Sequence, residues 1–339
     1  MTDPAEPLKV LSVVGAGRSG TTILASILGE IEGFASAGEL RWLWQRGVVE
    51  QRPCGCGKIP LLCPVWSGVI NQAVAAAAVA AAAGPKAGPT ADTVSGIISD
   101  QHELTRQINV PRVLRSANGG REDWEPLRRV RNVTAAACAA FAEATGATVI
   151  VDTSKRALDA AIMASLPSVQ PYVLHVVRDP RAVVHSWGRT KTFSVAGETR
   201  TMGSRGLLST VRRWTSNCLA TEVLRRQIPP SRWLFLRYED FARSPRTSVE
   251  RILALLDETG TTPFTSETAV QLHPNHIVVG NPSRFTTGSV EIRADEAWRD
   301  AMAGRDQNLV VASTFPLMLR YGYLRARGGA PAHAAGGGA

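Results

Sequence analysis

Residues 8–14 form a mostly apolar, β-branched run that closes on glycines, the pattern of a strand buried on both faces. Residues 21–29 follow with helical spacing. After a long interruption the same rhythm returns: a helix is expected at 135–143, a strand at 148–151, a helix at 157–165 and a strand at 172–177. A helix then starts at Pro180, a longer helical stretch covers 207–227, a strand 233–236 and a helix 248–257. Strands alternating with helices predict an α/β fold, a parallel sheet flanked by helices on both faces. The interruption, residues 41–131, has its own composition: Trp42, Trp44, Trp66 and Trp124, three nearby cysteines, an alanine run at 73–83 and a Pro/Gly-rich patch at 84–90. It reads as a helical or irregular insertion over the core. Residues 8–300 are expected to form a single domain. Residues 326–339, rich in Gly and Ala without a large apolar side chain, are expected to be a disordered tail.

Composition narrows the class without naming it. The chain has 339 residues, 44% hydrophobic and 20% charged, which is ordinary for a globular protein. Its formal net charge of +9 suits an anionic ligand, and nucleic acid, lipid and phosphorylated small molecules all qualify. No basic stretch leads into an apolar one at the N-terminus, so no secretory signal is read there. The alanine run is too short to span a bilayer and stops at Gly84-Pro85. With an odd count of 5 cysteines, a disulfide framework is not indicated and a cytoplasmic protein is expected.

Two motifs carry chemistry. Gly15-Ala16-Gly17-Arg18-Ser19-Gly20-Thr21-Thr22 lies between the first strand and the first helix, where backbone N–H groups and the positive helix end can cradle a phosphate. Its spacing is that of a Walker A loop, but Thr21 stands where that loop needs Lys, and a cation appears three residues earlier as Arg18. The plain alternative is a tight turn with an incidental arginine. The second motif is Arg178-Asp179-Pro180, with Ser186 eight residues after Arg178. Asp179 suits a helix N-cap and Pro180 the first helical position. Arg178 then stands at a strand's carboxyl end, where ligands of open parallel sheets bind, and Ser186 returns to the same side two turns on. Arg and Ser together suit a terminal phosphate, whereas a Mg²⁺-dependent phosphotransferase would place an acid there.

Together these motifs resemble the sulfotransferase superfamily, in particular its bacterial and carbohydrate- or tyrosylprotein-type branches. The resemblance implies a P-loop-type sheet and 3′-phosphoadenosine 5′-phosphosulfate as donor. It implies that Gly17, Arg18, Ser19, Gly20, Thr21 and Thr22 hold the 5′-phosphosulfate, and that Arg178 and Ser186 hold the 3′-phosphate. Tyr238, in Leu236-Arg237-Tyr238-Glu239-Asp240-Phe241, is similar to a tyrosine near the adenine. Asn281 and Arg284, in Gly280-Asn281-Pro282-Ser283-Arg284-Phe285, resemble a loop that closes over the nucleotide. Arg18 and Lys155 are then the cations that meet leaving-group charge, with no metal needed. Glu39 resembles the glutamate that takes the acceptor's proton. A surface or helix-start lysine, and a glutamate that is solvated or paired with Arg41, remain the plain readings of Lys155 and Glu39.

The acceptor is expected to be a small molecule, carbohydrate or lipid, behind an insertion that covers its site. A P-loop kinase is the alternative enzyme, disfavoured by the missing Lys. A nucleic-acid-binding protein is suggested by charge alone, without a recognition motif. Cys54, Cys56 and Cys63 fall short of zinc spacing, since C-x-C is tight and only three cysteines are local, so packing or a redox-sensitive loop is expected and no metal. Trp42, Trp44 and Trp66 could floor an acceptor pocket or pack a helix. Cys138 and Cys218 read as core positions on helices, and His175 as pointing into the sheet.

Overall fold

The first apolar run is β1 (Leu8–Gly15), the middle strand of a five-stranded sheet. The computed structural model describes residues 6–80, 89–117, 124–195 and 198–324. Residues 326–339 and most of the 84–90 patch lie outside the described residues. Chain order continues with α1 (Thr21–Leu28), β2 (Phe34–Gly38), α2 (Trp66–Ala80), α3 (Ala91–Glu103), α4 (Val110–Ala117) and α5 (Glu125–Thr145). Next come β3 (Val149–Lys155), α6 (Ala157–Ala164), β4 (Val169–Val177) and α7 (Pro180–Gly188). Two strands, β5 (Lys191–Val195) and β6 (Glu198–Met202), then pair antiparallel. The rest is α8 (Leu207–Arg225), β7 (Trp233–Arg237), α9 (Tyr238–Arg243), α10 (Pro245–Leu256), β8 (Ala269–Leu272), β9 (Gly288–Glu291), α11 (Trp298–Ala301) and α12 (Gly304–Arg320).

All pairings in the main sheet are parallel, in the order β2-β3-β1-β4-β7. Val10, Leu11, Val13 and Val14 are all essentially inaccessible, which is why apolar residues fall on both faces of the strand rather than alternating with polar ones. On one face Leu11 and Val13 pack with Leu24 and Leu28 of α1 and with Val249 and Ile252 of α10. On the other, Val10 and Ile150 pack with Trp66, Ile70 and Phe141 from α2 and α5. Among its described residues the insertion is thus mostly helical, and it supplies part of the core on that face, together with α5, α6 and α8. Trp66 stacks on Phe141 with ring centroids 4.7 Å apart, and truncating a buried aromatic of this kind typically costs about 3–5 kcal/mol.

Several elements had no sequence forecast, among them β2, β5, β6, β8, β9, α11 and α12. β2, Phe-Ala-Ser-Ala-Gly, lacks β-branched residues, and its place beside β3 is decided by register (Phe34 opposite Val149, Ser36 opposite Val151). The helix α12 contains Pro316, a breaker by local rules, yet it buries Val310, Thr314, Leu317 and Met318 against α7 and α8. Among the described residues no helix is long and apolar enough to cross a membrane.

Candidate functional site

Each of the five parallel strands ends at a residue singled out in the sequence. β1 runs into the glycine loop, β2 into Glu39, β3 ends on Lys155, β4 precedes Arg178 and β7 precedes Tyr238. They meet where neighbours β3 and β4 lie on opposite sides of β1, so the crevice at the strand ends opens there. A cleft of about 1530 Å³ occupies this position, and all the predicted site residues line it except Ser19, which is buried beneath.

The loop meets the requirements of an anion cradle. Gly20 caps α1 with φ +72°, and a Cβ there would come within 2.8 Å of the Tyr238 ring, so only glycine fits. No acidic residue occupies the first turn of α1, leaving its N–H groups and positive end available to an anion. Arg18 holds φ +71°, unusual for a residue with a Cβ, and Arg178 Nη1 donates to its carbonyl at 2.7 Å. Lys155 is likewise at φ +70°, with its carbonyl accepting from Asn217 Nδ2 at 3.0 Å. Backbone strain of this kind persists only where surroundings impose it.

The Arg178 guanidinium is buried, 4.4 Å from the Tyr238 ring, and its Nη2 donates to the Asp295 carbonyl at 2.8 Å and lies 3.3 Å from the Asp295 carboxylate. Asp179 caps α7 by accepting from Arg181 N at 2.9 Å, and Pro180 is the first helical residue, as the motif predicts. Ser186 is buried on α7 and reaches the same cleft. From the opposite wall, Asn281 N donates to Thr22 Oγ1 at 3.3 Å, tying the 280–285 loop to the glycine loop. Arg284 gives hydrogen bonds to the carbonyls of Gly280, Asn281 and Pro53, so it shapes that loop from within.

Lys155 Nζ donates to Glu39 Oε1, and Arg46 stands 3.9 Å from the other carboxylate oxygen. Glu39 is buried, and its N–H donates to the Val278 carbonyl at 3.0 Å. Arg41 is not its partner: that guanidinium pairs with Asp159 at 3.3 Å. Beneath them Asp152 accepts from Ser154 Oγ at 2.6 Å and from Leu40 N at 3.3 Å, fixing the end of β3 to the residues after Glu39. Burial pushes the Asp152 carboxyl up to about 7, against those hydrogen bonds.

Sequence reasoning missed several members of the site. The Trp187 ring carries both Arg18, at 4.6 Å, and Arg205, at 3.8 Å. Burial lowers the pKa of Arg18, Arg46 and Arg205 from the ordinary arginine value, and for Arg205 the neighbours Arg213, Arg46 and Arg18 add to the effect. These cations attract anions more strongly than solvated ones would. Of the three tryptophans weighed for the acceptor pocket, only Trp42 lines the cleft; Trp44 and Trp66 are core. His175 is core as expected, pushed down to about 3 by burial and so neutral. The cysteine cluster is larger than the sequence suggested. His276 Nδ1 stands 3.2 Å from Cys63 Sγ, which removes the ground on which no metal was expected.

The family model described as "Sulfotransferase family" matches residues 78–262, a span that contains Lys155, Arg178, Ser186 and Tyr238. No curated protein matches the chain. Among solved structures it is similar to the sulfotransferase domain from the curacin biosynthetic pathway, at 13% identity and TM-score 0.45, covering 92% of this chain and 99% of that one. It is also similar to the sulfotransferase domain of the Synechococcus PCC 7002 olefin synthase, at 16% identity and TM-score 0.41, covering 93% and 96%. Sulfotransferase STF9 from Mycobacterium avium shares 15% identity at TM-score 0.39, over 76% of this chain and 65% of that one. The family match runs over more than half of the chain and takes in three of the five strands that feed the cleft, and on that basis the chain belongs to the sulfotransferase family.

Proposed function

We propose that the chain moves a sulfuryl group from 3′-phosphoadenosine 5′-phosphosulfate to an acceptor hydroxyl or amine. The observation that carries this reading is the delivery of Arg18, Lys155, Arg178 and Glu39 into one cleft by four adjacent strand ends. The glycine loop and the start of α1 receive the 5′-phosphosulfate. Arg178 and Ser186 read the 3′-phosphate, and Tyr238 lies beside the nucleoside.

In the transfer, the bond between sulfur and the bridging phosphate oxygen breaks as the acceptor oxygen or nitrogen bonds to sulfur. The acceptor's proton passes to Glu39, and adenosine 3′,5′-bisphosphate leaves with the electron pair of the broken bond. Arg18 and Lys155 meet the charge that grows on the leaving oxygen. Further arginines lining the cleft, among them Arg46, Arg205 and Arg213, exceed what the donor needs and support an acceptor that carries negative charge of its own. A small molecule, a carbohydrate or a lipid headgroup could present such a group.

The decisive experiment is thermal unfolding with added nucleotides, paired with transfer of radiolabelled sulfate. Adenosine 3′,5′-bisphosphate should raise the melting temperature without Mg²⁺, while AMP and ATP should do so far less. Stabilisation by Mg-ATP alone would favour a kinase and overturn the proposal.

A further inference from the structure

Beside the cleft, three thiols and an imidazole converge from segments more than 200 residues apart. Cys63 Sγ lies 3.7 Å from Cys56 Sγ, 3.9 Å from Cys54 Sγ and 3.2 Å from His276 Nδ1. Cys54 Sγ is 3.9 Å from the same nitrogen, and all four atoms fall within 4.8 Å of one another. A tetrahedral zinc with bonds of about 2.3 Å to sulfur and about 2.0–2.1 Å to nitrogen places its sulfurs about 3.8 Å apart and each sulfur about 3.6 Å from the nitrogen. The four distances above lie within about 0.4 Å of that spacing, and the other two pairs fall inside 4.8 Å. A disulfide does not account for it, because the cysteines are free and their sulfurs are well beyond the roughly 2.05 Å of an S–S bond.

The backbone explains how the tight C-x-C spacing is accommodated. The Gly57 N–H donates to the Cys54 carbonyl at 2.8 Å and Cys54 N to the Lys58 carbonyl at 2.8 Å, a turn that brings the Cys54 and Cys56 thiols to one side. Gly55 N donates to the Ile277 carbonyl at 3.0 Å, and a Cβ on Gly55 would fall 1.9 Å from Asn275 Oδ1, so the turn docks directly on the histidine segment. Trp66 Nε1 donates to the His276 carbonyl at 2.6 Å and fixes the imidazole's backbone.

We propose that Cys54, Cys56, Cys63 and His276 bind one zinc ion. Three thiolates and an imidazole in tetrahedral array select zinc over harder cations, and with four protein ligands no position stays open for substrate, so the site is structural. Its effect on the cleft follows from position. The ion would fasten the loop at 54–63 to a segment whose Val278 carbonyl holds Glu39 N and whose Asn281 N–H reaches Thr22. Binding displaces the thiol protons, so zinc affinity should fall as pH drops.

The test is elemental analysis and cobalt substitution on the full chain, reduced and reconstituted with Zn²⁺ or Co²⁺. The expected result is about one zinc per chain and a cobalt spectrum showing tetrahedral ligand-field bands with thiolate-to-metal charge transfer. Cys56→Ser and His276→Ala should lose most of the bound metal, and Cys138→Ser, in the core of α5, should retain it. Chelation should lower the melting temperature of the wild type and leave Cys56→Ser unaffected. A reduced wild-type chain that takes up no zinc, gives an octahedral cobalt spectrum, or keeps its metal in both ligand variants would overturn the assignment. The wild-type measurements decide the matter even if a variant fails to fold.

Discussion

The Lys155 ammonium donates to the Glu39 carboxylate, joining the ends of β2 and β3 across 116 residues of sequence. The cation proposed to meet leaving-group charge and the base proposed to take the acceptor's proton therefore hold each other in place. Both side chains are largely buried, so neither charge is well served by water once its partner is gone.

A double-mutant cycle tests the pair. Lys155→Met and Glu39→Gln each leave one buried charge with less compensation, and losses of about 3–5 kcal/mol are typical when a buried pair is broken from one side. Arg46, 3.9 Å from Glu39, should soften the lysine variant's loss. The double variant should be more stable than the sum of the single losses allows, as measured by chemical denaturation. Strict additivity would mean that the two groups do not interact in solution.

Glu39→Gln should lower turnover by roughly 10²–10⁴, the usual worth of a general base, with little change in adenosine bisphosphate binding. A nitrophenol acceptor, which gives up its proton easily, should lose less rate than an alkyl alcohol. Near-normal turnover on the alcohol would remove Glu39 from the chemistry and bring His185 forward.

Arg178→Ala should weaken adenosine 3′,5′-bisphosphate binding by about 1.5–3 kcal/mol while scarcely affecting AMP, the signature of a lost charge-assisted contact to the 3′-phosphate. The Asp295 carboxylate, 3.3 Å from Arg178, is a rival anion, so Asp295→Asn should tighten the bisphosphate several-fold. Calorimetric titration of both variants settles the point. An Arg178→Ala protein that still discriminates the two nucleotides by the wild-type factor excludes this residue as the reader.

Asp152 should make stability depend on pH. In the folded chain its carboxyl is pushed up to about 7 by burial, against an ordinary value of 3.8. Between these values the folded state keeps a proton that the unfolded state has released, so this group's contribution to stability falls as pH rises from 4 to 7, then levels. The effect should amount to a few kcal/mol, and Asp152→Asn should abolish that part of the slope in denaturation measured at pH 5 and pH 8. An unchanged slope would assign it to other groups.

The sequence by itself determined the parts that depend on neighbouring residues. The buried run of β1, the glycine loop feeding α1, and the Asp179-Pro180 start of α7 follow from backbone geometry and capping within a few positions. Each was legible without knowing the rest of the chain. Tertiary structure decided what depends on distant partners. Phe34–Gly38 holds a single strand-favouring residue, Phe34, and becomes β2 because β3 lies beside it. Pro316 sits inside a helix because α7 and α8 bury that helix's apolar face. Glu39 meets Lys155 rather than Arg41, Trp66 goes to the core rather than the cleft, and His276 joins cysteines more than 200 residues away. In each case a side chain's fate was set by which surfaces the folded sheet brought within a few ångströms, and no local pattern encodes that distance.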